Sequence, residues 1–151
     1  VTGLAYIGWS KDYFNSVPKK ESPAPIQQVQ DETANGKVYG TGFGIIEGSL
    51  SYPSDFIPPM KICAEDINTK KQYCTSENIK NTKYNYGEGY KISVPFGGYY
   101  VFATTQALGD YRAYYSEFKC GEDGGKTHDP ILVEITASET TSGVDACDWY
   151  K

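Results

Sequence analysis

Tyr90-Lys91-Ile92-Ser93-Val94-Pro95-Phe96-Gly97-Gly98-Tyr99-Tyr100-Val101-Phe102-Ala103-Thr104-Thr105 is the stretch whose reading decides the fold class. Tyr90, Ile92 and Val94 alternate with Lys91 and Ser93, the period of a strand with one buried face and one wet face. Pro95 brings no amide hydrogen and so ends a ladder, and Gly97-Gly98 offers the positive φ that a short reversal needs. Tyr99 to Ala103 is apolar at every position, as in a strand covered on both faces. The stretch predicts the central hairpin of a β-sandwich, with a structural rather than a chemical role.

Composition around it agrees. Tyr accounts for 14 of 151 residues and Met for one, a bias that favours strands over helices. Gly (16) and Pro (8) punctuate short runs, which points to an all-β domain. The length suits one domain with an appendage. The formal charge is −5, and the only adjacent basic pairs are Lys19-Lys20 and Lys70-Lys71, so the basic patch of a nucleic-acid binder is missing. No apolar run reaches the length of a membrane span. Val1 in place of Met fits a processed N-terminus, and the first residues lack the basic, apolar and small-residue order of a signal peptide.

From the N-terminus, Val1 to Trp9 is apolar and strand-prone, and residues 10–37 have the polar, proline-interrupted composition of a linker. By composition that linker reads as disordered. We therefore divide the chain into an extended arm over 1–37 and a β-sandwich domain over 38–151. An apolar β-prone tip on a long leader suits addition to another chain's sheet, or folding back onto its own domain.

Within the domain, Phe43 to Tyr52 predicts a first strand, with Ile46, Gly48, Leu50 and Tyr52 on one face and Glu47, Ser49 and Ser51 opposite. A proline-flanked loop holds Ser54 to Ile57. Met60 to Ile67 is the next strand, with Met60, Ile62 and Ala64 inward and Lys61, Cys63 and Glu65 outward. Gln72 to Thr75 closes a hairpin with it, and Ser76 to Glu88 reads as an irregular connection. Past the central stretch, Tyr111 to Phe118 predicts a strand, Gly121 to Gly125 an acidic loop, Ile131 to Thr136 a strand and Thr141 to Ala146 a last short one. No segment has helical periodicity.

Four cysteines in such a protein indicate an oxidising compartment. With Asn68-Thr69 as a two-residue turn, Ile67 pairs Lys70, and counting outward sets Cys63 opposite Cys74; a four-residue turn sets them diagonally on the same face. Either geometry comes within bridging range. Cys120 and Cys147 remain as the second pair. The first disulfide is expected on the solvent face of its hairpin. A four-cysteine zinc site is the weaker reading, because no Cys-x-x-Cys spacing occurs.

The order of elements from Phe43 to Trp149 resembles the carboxypeptidase-regulatory-like, or transthyretin-like (prealbumin-like), β-sandwich. The likeness rests on Gly48-x-Leu50 in the opening strand, a proline-flanked loop, and the strand leading into Asn68-Thr69-Lys70. It continues through Tyr90-x-Ile92-x-Val94-Pro95 with Gly98-Tyr99-Tyr100-Val101, and Ile131-Leu132-Val133-Glu134-Ile135 before Ala137-Ser138-Glu139-Thr140. The resemblance implies an antiparallel seven- to eight-stranded sandwich, transthyretin-like or Ig-like, here with an extended N-terminal arm. Transthyretin-like enzymes that hydrolyse a purine-derived substrate use several His and end in Tyr-Arg-Gly-Ser. This chain has one His and ends Asp148-Trp149-Tyr150-Lys151, so the resemblance does not imply that activity.

Nucleophilic hydrolysis needs a base, usually His, and His128 lies in a Gly/Asp-rich loop where solvation is the ordinary state. No carboxylate pair stands out for glycoside cleavage. Asp145 and Asp148 could meet Glu122 and Asp123 at a calcium ion if Cys120 and Cys147 bridge, yet no loop repeats Asp at alternating positions. We therefore expect no catalytic, cofactor or metal residues. The tyrosines offer large rigid area with a polar tip, for a protein interface or for stacking on sugars. Tyr99 or Tyr100, and one of Tyr114 and Tyr115, are assigned to the core and the rest to the surface.

The expected function is a non-catalytic extracytoplasmic module acting by protein–protein contact: a cell-surface or fibre subunit joined through its arm, by self-association or to another surface protein. The contact residues would be Val1, Leu4, Tyr6, Ile7 and Trp9, with Tyr111, Tyr114, Tyr115, Trp149 and Tyr150. The alternative is a carbohydrate-binding module using surface Tyr and Trp. The expected location is secreted, periplasmic or cell-surface.

Overall fold

Two β-sheets face each other in a computed structural model, which describes residues 39–118 and 127–150 together with 3, 37 and 120. Nine strands form among the described residues, against the seven or eight expected, and no α-helix does. In the first sheet β1 (Phe43–Ser49) lies between β5 (Glu88–Pro95) and β9 (Thr140–Thr141), and β4 (Ile79–Lys80) extends the far side of β5. In the second, β2 (Met60–Asp66) lies between β3 (Gln72–Thr75) and β6 (Gly97–Thr105). The free edge of β6 takes both β7 (Ala113–Tyr114) and β8 (Val133–Ile135). All pairings are antiparallel except β1 with β9, which is parallel.

The stretch Tyr90 to Thr105 is not a hairpin. β5 pairs β1 and β4, β6 pairs β2, β7 and β8, and the two lie in different sheets with only Phe96 between them. The amide of Phe96 donates to Gly42 O at 2.9 Å, and the Tyr99 hydroxyl donates to Pro95 O at 2.8 Å, so the crossing is held from both sides. Neither Gly97 nor Gly98 takes a positive φ, because the chain arches across the sandwich rather than reversing within a sheet. Gly98 is small for packing: a Cβ there would stand 3.1 Å from Ile67 Cδ1 and 3.2 Å from Leu132 Cδ1.

Alternation places the core as expected. Ile46, Leu50, Ile62, Ala64, Tyr90, Ile92, Val94, Tyr99, Val101 and Ala103 are buried, joined by Val133 and Ile135. Each large side chain removed from water in this way contributes roughly 1.5–3 kcal/mol. The β2–β3 register sets Cys63 opposite Cys74, and the two are disulfide-bonded. Cys63 points to the outer face, between the core residues Ile62 and Ala64, and its partner Cys74 is exposed. Cys63 itself is only 2% exposed, covered beside the ring of Phe102 at the paired position of β6, which is tilted against Tyr114.

The expected strand over Tyr111 to Phe118 is only Ala113–Tyr114 with an isolated bridge at Ser116. The last strand is likewise shorter than Thr141 to Ala146. After Thr141 the chain leaves the ladder, yet Val144, Ala146, Cys147, Asp148 and Trp149 stay buried. It runs close along β1, with Val144 N donating to Glu47 O at 3.1 Å. Gly48 permits this approach, since a Cβ there would lie 1.9 Å from Val144 O. The Tyr90 hydroxyl also donates to Val144 O. The arm over 1–37, apart from residues 3 and 37, and the loop Gly121 to Gly125 lie outside the described residues.

Candidate functional site, an aromatic cleft at one end of the sandwich

Three segments converge at one end of the sheets. The first is the β1–β2 loop. The Ser54 hydroxyl donates to Phe56 O at 2.8 Å and accepts from Phe56 N at 3.4 Å, a local turn that leaves the Phe56 ring 69% exposed. Tyr52 in the same loop sets its ring edge-on to Trp149, with centroids 5.1 Å apart.

The second segment is the turn between β4 and β5. Tyr84 N bonds Asn81 O, Gly87 N bonds Tyr84 O, and Gly87 takes the left-handed conformation with φ 71°. Tyr84 faces inward over Gly89, where a Cβ would come 2.4 Å from its ring. Tyr86, two residues on, is turned outward and 64% exposed. The third segment is the C-terminal stretch. The Trp149 indole donates to Ser51 O at 2.8 Å, and the Tyr111 hydroxyl donates to Asp148 O at 3.1 Å. Tyr150 emerges 42% exposed, tilted against Phe118 at 5.5 Å.

Together they form an open cleft of about 870 Å³. Tyr52, Phe56, Tyr86, Trp149 and Tyr150 line it with rings, Ser51 and Ser54 with hydroxyls, and Asp55 and Glu88 with carboxylates. The disulfide Cys120–Cys147 forms part of the wall. A second cleft of about 440 Å³ shares Ser51, Tyr86 and both cysteines with the first and adds Tyr115, Ser116 and Asp145.

Beside it lie two charged clusters whose members already satisfy one another. Glu47 is buried and accepts from Lys83, from Tyr84 at 2.6 Å and from Ser142 at 3.2 Å, with Lys91 3.7 Å away. The Lys83 hydrogen bond, seconded by that of Tyr84, lowers its carboxyl pKa to about 2. In the other cluster Asp148 is buried and accepts from Ser116 at 2.7 Å, while His128 Nδ1 lies 2.8 Å from its other oxygen. His128 is thus not simply a solvated loop residue: it grips Asp148 and stacks on Phe118 at 4.8 Å. Ser116 gives its proton to the carboxylate rather than to the imidazole, so the three do not form the nucleophile–base pair that acyl transfer uses.

Of the contact residues expected from sequence, Val1, Leu4, Tyr6, Ile7 and Trp9 lie outside the described residues. Trp149 is not a surface ring. It is 9% exposed and packs in the core, edge-on to Tyr52 and stacked against Tyr111 at 6.2 Å, with its indole N–H donated to Ser51 O. Tyr111, Tyr114 and Tyr115 are half-buried, and Tyr150 alone of that group opens into the cleft. Phe56, Tyr86 and Tyr52 were not singled out from sequence; the signal was an aromatic in each of two loops framed by Pro, Asn and Gly. For calcium, Asp145 accepts from Ser49 N at 2.6 Å and from Asn85 at 3.1 Å, while Glu122 and Asp123 lie outside the described residues. Among the described residues no group of three His, Cys, Asp or Glu could hold a metal ion. No protein-family model, curated protein or solved structure matches the chain.

Proposed function

We propose that the chain is a non-catalytic, extracytoplasmic β-sandwich module that works by binding, with the aromatic end cleft as its contact site and a saccharide as its ligand. The observation that carries this is the convergence of Phe56, Tyr86 and Tyr150, all exposed, on a cleft that also offers hydroxyls and carboxylates. Flat rings stack on the C–H faces of sugars, and the polar groups between them fix orientation. The two disulfides fit an oxidising, extracellular setting. Membership of the transthyretin-like class is part of the proposal, supported by the two facing sheets and the element order quoted from the sequence.

Calorimetric titration of the full chain against a glycan panel tests it. At least one saccharide binds, and the double variant Phe56→Ala, Tyr86→Ala, which removes two exposed rings worth about 0.5–1.5 kcal/mol each, weakens it at least about fivefold. No binding across the panel, or binding indifferent to both rings, overturns the reading.

A second reading keeps the module as a surface or fibre subunit that associates through its arm. It is favoured by Phe43, 61% exposed at the first position of β1, on the same short stretch of chain that leads out of the arm. Its test is the state of association with and without the arm.

A further inference from the structure

We infer that the end cleft selects a cationic amino sugar, a saccharide unit carrying a free ammonium, over its neutral N-acetylated or anionic counterparts. This rests on the reading of the cleft as a saccharide site. Its described lining contains two carboxylates, Asp55 and Glu88, and no Lys, Arg or His. Glu88 commits one oxygen to Asn78, and its other oxygen has no protein donor among the described residues. Asp55, on the exposed β1–β2 loop, has none either. The rings around them, Phe56, Tyr86 and Tyr150, present faces whose quadrupole is negative and attracts a cation. Rings and carboxylates thus act with the same sign on an ammonium group.

An N-acetyl group would replace that ammonium by a neutral amide and lose both attractions. A uronate or phosphate would meet two like charges on a chain of net −5. The volume of about 870 Å³ accommodates a ring with its neighbours rather than the tip of a single side chain, which favours a saccharide over a lysine.

The test is calorimetry of the full chain with glucosamine oligosaccharide, its fully N-acetylated counterpart of equal length, and an oligolysine peptide. The pH is one at which the free amines are charged, and each titration is run at low and high salt. The glucosamine oligomer is expected to bind at least tenfold tighter than the acetylated one and to weaken with salt. Asp55→Asn with Glu88→Gln should abolish the preference, and Asp55→Asn alone, on an exposed loop, should reduce it without disturbing the fold.

Equal or tighter binding of the acetylated oligomer overturns the cationic inference and leaves the saccharide reading standing. Oligolysine binding as tightly as the amino sugar overturns it in favour of a protein ligand. No binding by any of the three overturns the inference, while binding elsewhere in the glycan panel still upholds the saccharide site.

Discussion

Glu47 sits on the side of β1 opposite Ile46, the side that alternation assigns to water, yet its side chain is only 8% exposed. The turn that follows β4 explains this: Tyr84 folds over Gly89 and brings its hydroxyl, with the Lys83 ammonium, onto the carboxylate. Such a carboxylate stabilises the fold only while ionised. Its pKa falls from 4.5 to about 2, so the contribution is complete above the unfolded value and is lost as pH drops through the folded one. Glu47→Gln keeps the shape and an acceptor for Tyr84 but removes the charge. We expect it to cost about 2 kcal/mol at neutral pH, allowing for the partly exposed Lys83. Urea unfolding across the acid range checks this: the gap between parent and variant should close from pH 4.5 down to about 2. A gap that stays constant with pH would sink the assignment.

At the level of elements, the two disulfides are unequal. Cys63–Cys74 joins residues 11 apart that the β2–β3 ladder already holds opposite each other. Cys120–Cys147 joins residues 27 apart and ties in a stretch with only a short parallel pairing of its own. Chain entropy alone makes the longer closure more stabilising by about 0.8 kcal/mol. Removing it also frees a wall of the cleft. We expect Cys120→Ala with Cys147→Ala to lower stability by about 1 kcal/mol more than Cys63→Ala with Cys74→Ala, and to weaken ligand binding where the other pair does not. Chemical unfolding and calorimetry of both variants decide it, and the reverse order would refute the argument.

The same contrast explains what could be read from the sequence. The β2–β3 hairpin was legible because its turn and register are local. Val94 to Tyr99 was misread because a strand entering a hairpin and a strand entering an arch carry the same alternation; only the partners differ, and those are β1 and β2, far away in sequence. The cleft was hidden for a similar reason. Phe56, Tyr86 and Tyr150 are about 30 and 64 residues apart along the chain, on segments without periodicity, and only the fold gathers them.

For the whole molecule, the question is how much of it the sandwich needs. Among the described residues, every buried apolar side chain of the core, from Ile46 to Trp149, comes from the segment after residue 38. Among the described residues, Lys37 and Tyr39 contact Glu134 at an exposed surface, where an ion pair contributes at most about 1 kcal/mol. We expect a chain beginning at Lys37 to keep what holds the two sheets together. Its thermal midpoint should stay within about 3 °C of the full chain, a shift equivalent to about 1 kcal/mol or less. It should also bind the same saccharide with unchanged affinity, since the described lining of the cleft begins at Ser51.

Association separates the arm's role from that of the domain. If residues 1–36 join copies or partners by strand addition, the full chain will run above monomer mass in light scattering and the shortened chain will run as a monomer. If both are monomers at every concentration, strand addition between copies of this chain is excluded, while the cleft keeps its own test. If the shortened chain unfolds many degrees lower, the division at residue 38 is wrong and the arm belongs to the fold.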